Sequence, residues 1–245
     1  MLSEIANKHA EGILSSQING IANHEKTHQS IATKLSLVKA YETPDGAIRR
    51  SNDTKEFHQI WDDCVMPVRD DAGTMMKWLQ DDSDFFFAPA SVRNHGNYPG
   101  GLVHHSLNVY ACLKDILRDG SIYARLGVHP SEDTIAIVAL LHDICKANFY
   151  SVYQRNVKNE YGRWVQTLGW TYDDEFPYGH GEKSEYIASK HMRLTDEEAV
   201  AIRHHMGFSM ANDAIQKNWF SQSAAMTPLA LALSEADGRA SILLE

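Results

Sequence analysis

Apolar residues recur at three- and four-residue intervals along most of this chain, the spacing of helices that bury one face. Residues 1–40 carry such a stripe, from Ile5, Ile13, Leu14, Ile18 and Ile21 to Ile31, Leu35 and Val38, and are expected to form one or two helices. The run ETPDGAIRRSND, residues 42–53, is rich in turn formers and reads as a linker. Helical spacing resumes over 54–81, with a break near Pro67. DSDFFFAPAS, residues 82–91, reads as an extended aromatic segment leading to a loop that ends at Pro99-Gly100-Gly101.

Further along, the helical pattern is denser. GLVHHSLNVYACLKDILRDG (101–120) keeps its apolar residues on one face and stops at Gly120. SEDTIAIVALLHDICK (131–146) opens on Ser131 as N-cap with acids in its first turn. SEYIASKHM (184–192) is a short helix. TDEEAVAIRHHM (195–206) begins with a capping box, Thr195 followed by Glu198. TPLALALSEADGRASILL (227–244) has Pro228 in its first turn. Between the second and third of these, aromatic and β-branched residues flank KNEYG and predict a β-hairpin over about 149–176. The expected fold class is therefore all-α, a helical bundle with a small β-hairpin insertion.

Composition changes this picture little. Of 245 residues, 43% are hydrophobic and 22% charged, ordinary values for a globular chain. No run of about 18 apolar residues suggests a membrane span. The first residues, MLSEIANKHAEGILSS, lack the basic and apolar regions of a secretory signal. Cys64, Cys112 and Cys145 are scattered and odd in number, which points to free thiols and a cytoplasmic setting. All three read as small buried apolar side chains. A net charge of −9 argues against a broad nucleic-acid-binding face.

The histidines carry the chemistry. Nine of the 13 fall between His95 and His205. Imidazole or carboxylate sits at or near the end of an apolar helix at His104-His105, His142-Asp143, His180, His204-His205 and Asp237. Helical bundles build metal sites from such inward-facing ligands. Imidazole nitrogen with carboxylate oxygen suits borderline divalent ions such as Fe, Mn, Co, Ni or Zn. The His142-Asp143 doublet ends the run TIAIVALL, where a buried His and Asp need a strong partner, and a metal supplies one. His9, His24, His28, His58, His129 and His191 read as structural or surface residues, and TYDDEF (171–176) as a solvated loop.

This ordered set resembles the HD superfamily of metal-dependent phosphohydrolases, whose order is His, His-Asp, optional middle His residues and a distal Asp. FAPASVRNHGNYPGGLVHHSLNV and LLHDICK are similar to the HD domain of Gram-positive 3′–5′ exoribonucleases, with Cys145 where that group has Gly. The resemblance covers roughly residues 85–240 and divides the chain into an N-terminal helical extension (1–84) and an HD phosphohydrolase domain (85–245). It implies His105, His142, Asp143 and Asp237 at a first metal, with Asp143 bridging, and His180 with His204, His205 or both at a second. Two divalent metals, from Fe, Mn, Co, Ni, Zn or Mg, can activate a water and stabilise both oxygens of a phosphoester displacement.

Asp143 and Lys146 are then the candidate catalytic residues, and Lys146, Arg203, Arg239, His95 and Arg155 the candidate substrate contacts. The hairpin could wall or cover a substrate through Tyr153, Arg155, Lys158, Arg163 and Trp164, although its aromatics are expected mainly to pack on the bundle. The implied activity is hydrolysis of a phosphoester, with a small phosphorylated substrate such as a nucleotide, or short single-stranded nucleic acid, as partner. An oligomer is compatible with the sequence and a membrane is not implied. The helical N-terminal region departs from those exoribonucleases, which carry an oligonucleotide-binding barrel there, and so disfavours processive RNA degradation. Two alternatives use the same residues: an HD-type mixed-valence di-iron oxygenase, and a non-catalytic regulatory module that keeps a metal.

Overall fold

The computed structural model describes residues 31–174, 176–210 and 214–245. Residues 31–41 are helical; the rest of the helical expectation for 1–40 lies outside the described residues. There follow α1 (Pro44–Cys64), α2 (Ala72–Asp81), α3 (Gly101–Leu117), a single turn at Ile122–Arg125, and α4 (Glu132–Leu141). A hairpin, β1 (Tyr150–Lys158) and β2 (Trp164–Tyr172), leads to α5 (His180–His191), α6 (Asp196–His204), α7 (Ala214–Met226) and α8 (Pro228–Arg239). The last helix runs into a π-helical turn, Ala240–Leu244. Among the described residues no helix is long and apolar enough to cross a membrane.

The core forms around α4. Thr134 to Leu141 are all buried, as expected of a helix that is apolar all round. It packs on α3 and α6, and α8 closes the bundle against α3 and α6. Phe57 and Trp61 of α1 and Met75 and Leu79 of α2 join the same hydrophobic cluster as Leu102, Leu113, Ile137 and Leu140. One ionic knot ties three starts together. Arg69, between α1 and α2, pairs with Asp133 of α4 (2.7 Å) and with Glu198 of α6. Thr134 Oγ1 also donates to Glu198 (2.8 Å), and Glu198 completes the capping box with Thr195.

Three expectations change. The stretch 42–53 is no linker but the start of α1: the Thr43 hydroxyl accepts from the Gly46 N–H (3.1 Å) and Pro44 takes the first turn. Turn formers at this place are N-cap chemistry. DSDFFF is a turn rather than an extended segment, because Phe87 and Ala88 N–H both donate to the Asp84 carbonyl and Phe85 sinks into the core. α5 starts at His180, four residues before the helical pattern becomes visible at Ser184.

The hairpin forms where it was expected. Tyr150 pairs with Tyr172 and Lys158 with Trp164, and Gly162 at φ 73° makes the turn. Its base packs on residues 31–41 through Val38, Tyr150 and Trp170, while Tyr153, Tyr161, Trp164 and Tyr172 are exposed. The aromatics thus divide: Tyr150 and Trp170 pack at the base, and Tyr153, Tyr161, Trp164 and Tyr172 face solvent.

Candidate metal centre

Five segments deliver the donors. α3 carries His105. Its start needs Gly101, where a Cβ would lie 1.9 Å from the Gly96 carbonyl oxygen. α4 ends at Leu141, so His142 is its C-cap and Asp143 follows in a short 3₁₀ turn with Lys146. α5 begins with His180. It can approach the end of α6 only because residue 181 is glycine, since a Cβ there would meet the Arg203 carbonyl oxygen at 2.0 Å. α6 ends at His204 with His205 as C-cap. Asp237 comes from the last turns of α8.

The resulting cluster is buried. His105, His142, Asp143 and His205 are at most 2% exposed. His105 Nε2 lies 3.2 Å from Asp237 Oδ1, 3.2 Å from His142 Nε2 and 3.6 Å from Asp143 Oδ2. His142 Nε2 is 3.5 Å from the same Asp143 Oδ2. The other carboxylate oxygen, Asp143 Oδ1, faces His180 Nε2 (2.8 Å) and His205 Nε2 (3.5 Å). One carboxylate therefore stands between two pairs of imidazoles.

The outer ring nitrogens are also held. His142 Nδ1 donates to the Ala139 carbonyl (2.8 Å), and His205 Nδ1 to that of Ile202 (2.7 Å). His105 Nδ1 meets Glu245 Oε1 (3.0 Å). His180 Nδ1 lies 3.1 Å from Cys145 Sγ. Pinning Nδ1 turns Nε2 inward with its lone pair free, the arrangement typical of metal-ligating histidines.

These residues fit a divalent cation. Asp143 Oδ1 and His205 Nε2 are buried and lack a hydrogen bond of proper geometry, a costly state unless something else binds them. Three of the groupings that could hold an ion use this cluster: His105, His142 and Asp237; His142, Asp143 and His205; Asp143, Cys145 and His180. The electrostatics agree. Burial opposes charge on His105, yet hydrogen bonds to Asp237 and Glu245 and the field of Asp143 lift its pKa to about 9. Burial likewise opposes charge on His180, but Asp143 and Cys145 lift it to about 10. Asp237 and Asp143 are held well below the carboxylate range despite burial, Asp237 chiefly by His105 and Asp143 by Lys146, His142 and His180. Burial lowers His205. The carboxylates draw protons onto imidazoles where a cation would serve the same purpose.

The remaining candidates lie around this core. Lys146 Nζ sits on Asp143 Oδ2 (2.5 Å). The His95 ring is 5.1 Å from that of His105, its Nε2 is buried and unpartnered, and burial with nearby His105 and Lys146 lowers its pKa. His204 does not enter the cluster: its ring turns to Phe220 (6.4 Å). A cleft of about 220 Å³ reaches His180 and is lined by Arg203, His204, Gln216, Trp219 and Phe220. Arg203 is 3.6 Å from Glu182 at its rim. Arg239 is exposed and pairs with Asp115 (3.7 Å) and Glu235 (3.9 Å), outside the cluster. Arg155 is exposed in the middle of β1.

Sequence reasoning passed over Cys145, Glu245 and Trp219. For Cys145 a signal existed, a thiol two residues after Asp143 in a turn. For Glu245, which reaches back over α3 to His105 and Asn108 (2.9 Å), no local pattern marks the contact. All three cysteines are free.

A helical bundle that converges four histidines and two aspartates on one buried point defines a protein of the metal-centre class. The HD domain profile matches residues 102–241, more than half of the chain, and the chain belongs to this family. Family members are in general metal-dependent phosphohydrolases. No curated protein and no solved structure matches the chain.

Proposed function

We propose that this chain is a two-metal phosphohydrolase, a phosphodiesterase or nucleotidase, that cleaves a phosphoester of a nucleotide or short oligonucleotide. One observation carries the reading: Asp143 directs Oδ2 toward His105 and His142 and Oδ1 toward His180 and His205. In this reading His105, His142, Asp143 and Asp237 hold one ion and Asp143, His180 and His205 the other. When bound, the ions supply Lewis acidity toward a phosphoryl oxygen and lower the pKa of a water.

The chain's own residues do the rest. Asp143 would offer one carboxylate oxygen to each position. Lys146, raised in pKa by Asp143 although burial opposes it, stays cationic beside the carboxylate, where it would meet a phosphate oxygen of a bound substrate. Arg203 and Trp219 line the cleft that leads to His180 and offer charge and a stacking face to a nucleotide. Residues 85–245 carry this chemistry, with 1–84 as an extension whose α1 and α2 buttress the core. The sequence resemblance of FAPASVRNHGNYPGGLVHHSLNV to the exoribonuclease HD domains is what suggests a nucleotide, with other small phosphoesters as the wider class.

The test is turnover by purified protein supplied with Mn, Co, Ni or Mg, on bis-p-nitrophenyl phosphate, mononucleotides, cyclic nucleotides and short RNA. Hydrolysis with at least one metal, falling about a thousandfold or more in Asp143→Ala, is the expected result. No turnover with any metal contradicts it. The same donor set accommodates a di-iron pair, and a mixed-valence electron paramagnetic resonance signal in the iron-loaded protein would favour the oxygenase reading instead.

A further inference from the structure

Each of the four imidazoles in the cluster has a partner on Nδ1, and one partner is unlike the rest. For His142 and His205 it is a main-chain carbonyl three residues back. For His105 it is the Glu245 carboxylate. These oxygens only accept, so they fix Nδ1–H and leave the Nε2 lone pair facing inward. For His180 the partner is the sulfur of Cys145, at 3.1 Å.

We propose that Cys145 is the positioning residue for His180. Its sulfur accepts the Nδ1–H, holds the Nε2 lone pair on the Oδ1 side of Asp143, and so sets how tightly the second metal position is occupied. This rests on the two-metal reading above. Three observations support it. Cys145 is buried, 3% exposed, so water does not compete for the sulfur. Its N–H donates to Ser184 Oγ (3.3 Å), which ties the 3₁₀ turn to α5, the helix that presents His180. And His180 Nε2 faces Asp143 Oδ1 (2.8 Å), which with His205 Nε2 is buried and lacks a hydrogen bond of proper geometry.

Distances argue against the sulfur as a direct ligand beside the same ring. Sulfur and imidazole nitrogen on one tetrahedral ion, at about 2.3 and 2.0 Å from it, lie roughly 3.5 Å apart. The contact here is shorter, in the range of a hydrogen bond to sulfur, and it is made by Nδ1 rather than by the Nε2 that faces Asp143.

The experiment is a cobalt(II) titration of metal-free wild type, Cys145→Ser and Cys145→Ala, with bound metal counted by elemental analysis and absorption spectra recorded. Wild type takes two equivalents. In Cys145→Ala the first binds as in wild type and the second about 10- to 100-fold more weakly. Cys145→Ser falls between, since a hydroxyl also accepts but reaches less far, and it guards against an alanine variant that does not fold. Three results overturn the proposal: a second cobalt bound by Cys145→Ala as tightly as by wild type, an equal loss at both positions in a variant that melts like wild type, or a sulfur-to-cobalt charge-transfer band in wild type that Cys145→Ser lacks. Failure of the two-metal reading itself shows elsewhere, as fewer than two cobalt ions in the wild-type protein.

Discussion

Asp143 and the rings around it set the account at the residue scale. Adjacent helical residues point about 100° apart, so of His204 and His205 one faces inward. The sequence leaves the choice open, and the geometry sends His205 to Asp143 and His204 to Phe220. His205→Ala should therefore lose bound metal and nearly all activity. His204→Ala should keep the metal and change turnover by only a few-fold; elemental analysis alongside kinetics separates the two. A pH effect follows from the same cluster. His105 and His180 have folded pKa values of about 9 and about 10, above the ordinary 6.5. Their protonation stabilises the metal-free fold fully below about pH 6.5, and that contribution is lost as pH rises through about 9 to 10. Metal competes with those protons, so binding should release about two protons per fully loaded chain and tighten as pH rises toward that range. Calorimetry in buffers of different ionisation enthalpy measures the release; no proton release contradicts it.

Elements differed in how plainly the sequence announced them. α3, α4 and α8 were legible because each buries a continuous apolar face, and α6 because the capping box at Thr195 marks its start, as Pro228 does for α8. α7 was not, since Phe220 is its only buried residue among those described and its pattern is nearly even. α1 was hidden behind Thr43-Pro44-Asp45-Gly46, which reads equally as a turn and as a helix cap. α5 was shortened because Gly179 and Gly181 look like breakers, while Gly181 is there for backbone approach to Arg203. Gly181→Ala should push α5 off the end of α6, cost about 3 kcal/mol or more, and separate His180 from His205. Gly73→Ala, in open space on α2, is the control and should be neutral or slightly stabilising. Equal melting temperatures for the two variants would refute the role given to Gly181.

At the scale of the whole molecule, four helices and a turn are held so that their ends meet at one carboxylate. The residues that meet in the cluster stand in chain order at or near helix ends, and for His105, His142 and Asp237 the helix is one with a long buried apolar face. Which ring nitrogen faces inward, and what holds the outer one, was not legible in the sequence, because Glu245 and Cys145 act through contacts made only in the folded chain. Since the cluster joins α3, α4, α5, α6 and α8, a bound ion links the bundle, and metal present at 100 times its dissociation constant should add about 2.7 kcal/mol to stability. A chelator should lower the melting temperature accordingly; an unchanged melt would place the ion outside this cluster. The claim on which the rest depends is that Asp143 joins two metal positions. Its most direct test is metal content after loading with manganese and removal of free ions. Two ions per chain in wild type, one in His205→Ala and none retained in Asp143→Ala is the predicted result; a single ion in wild type, or two retained in Asp143→Ala, would contradict it.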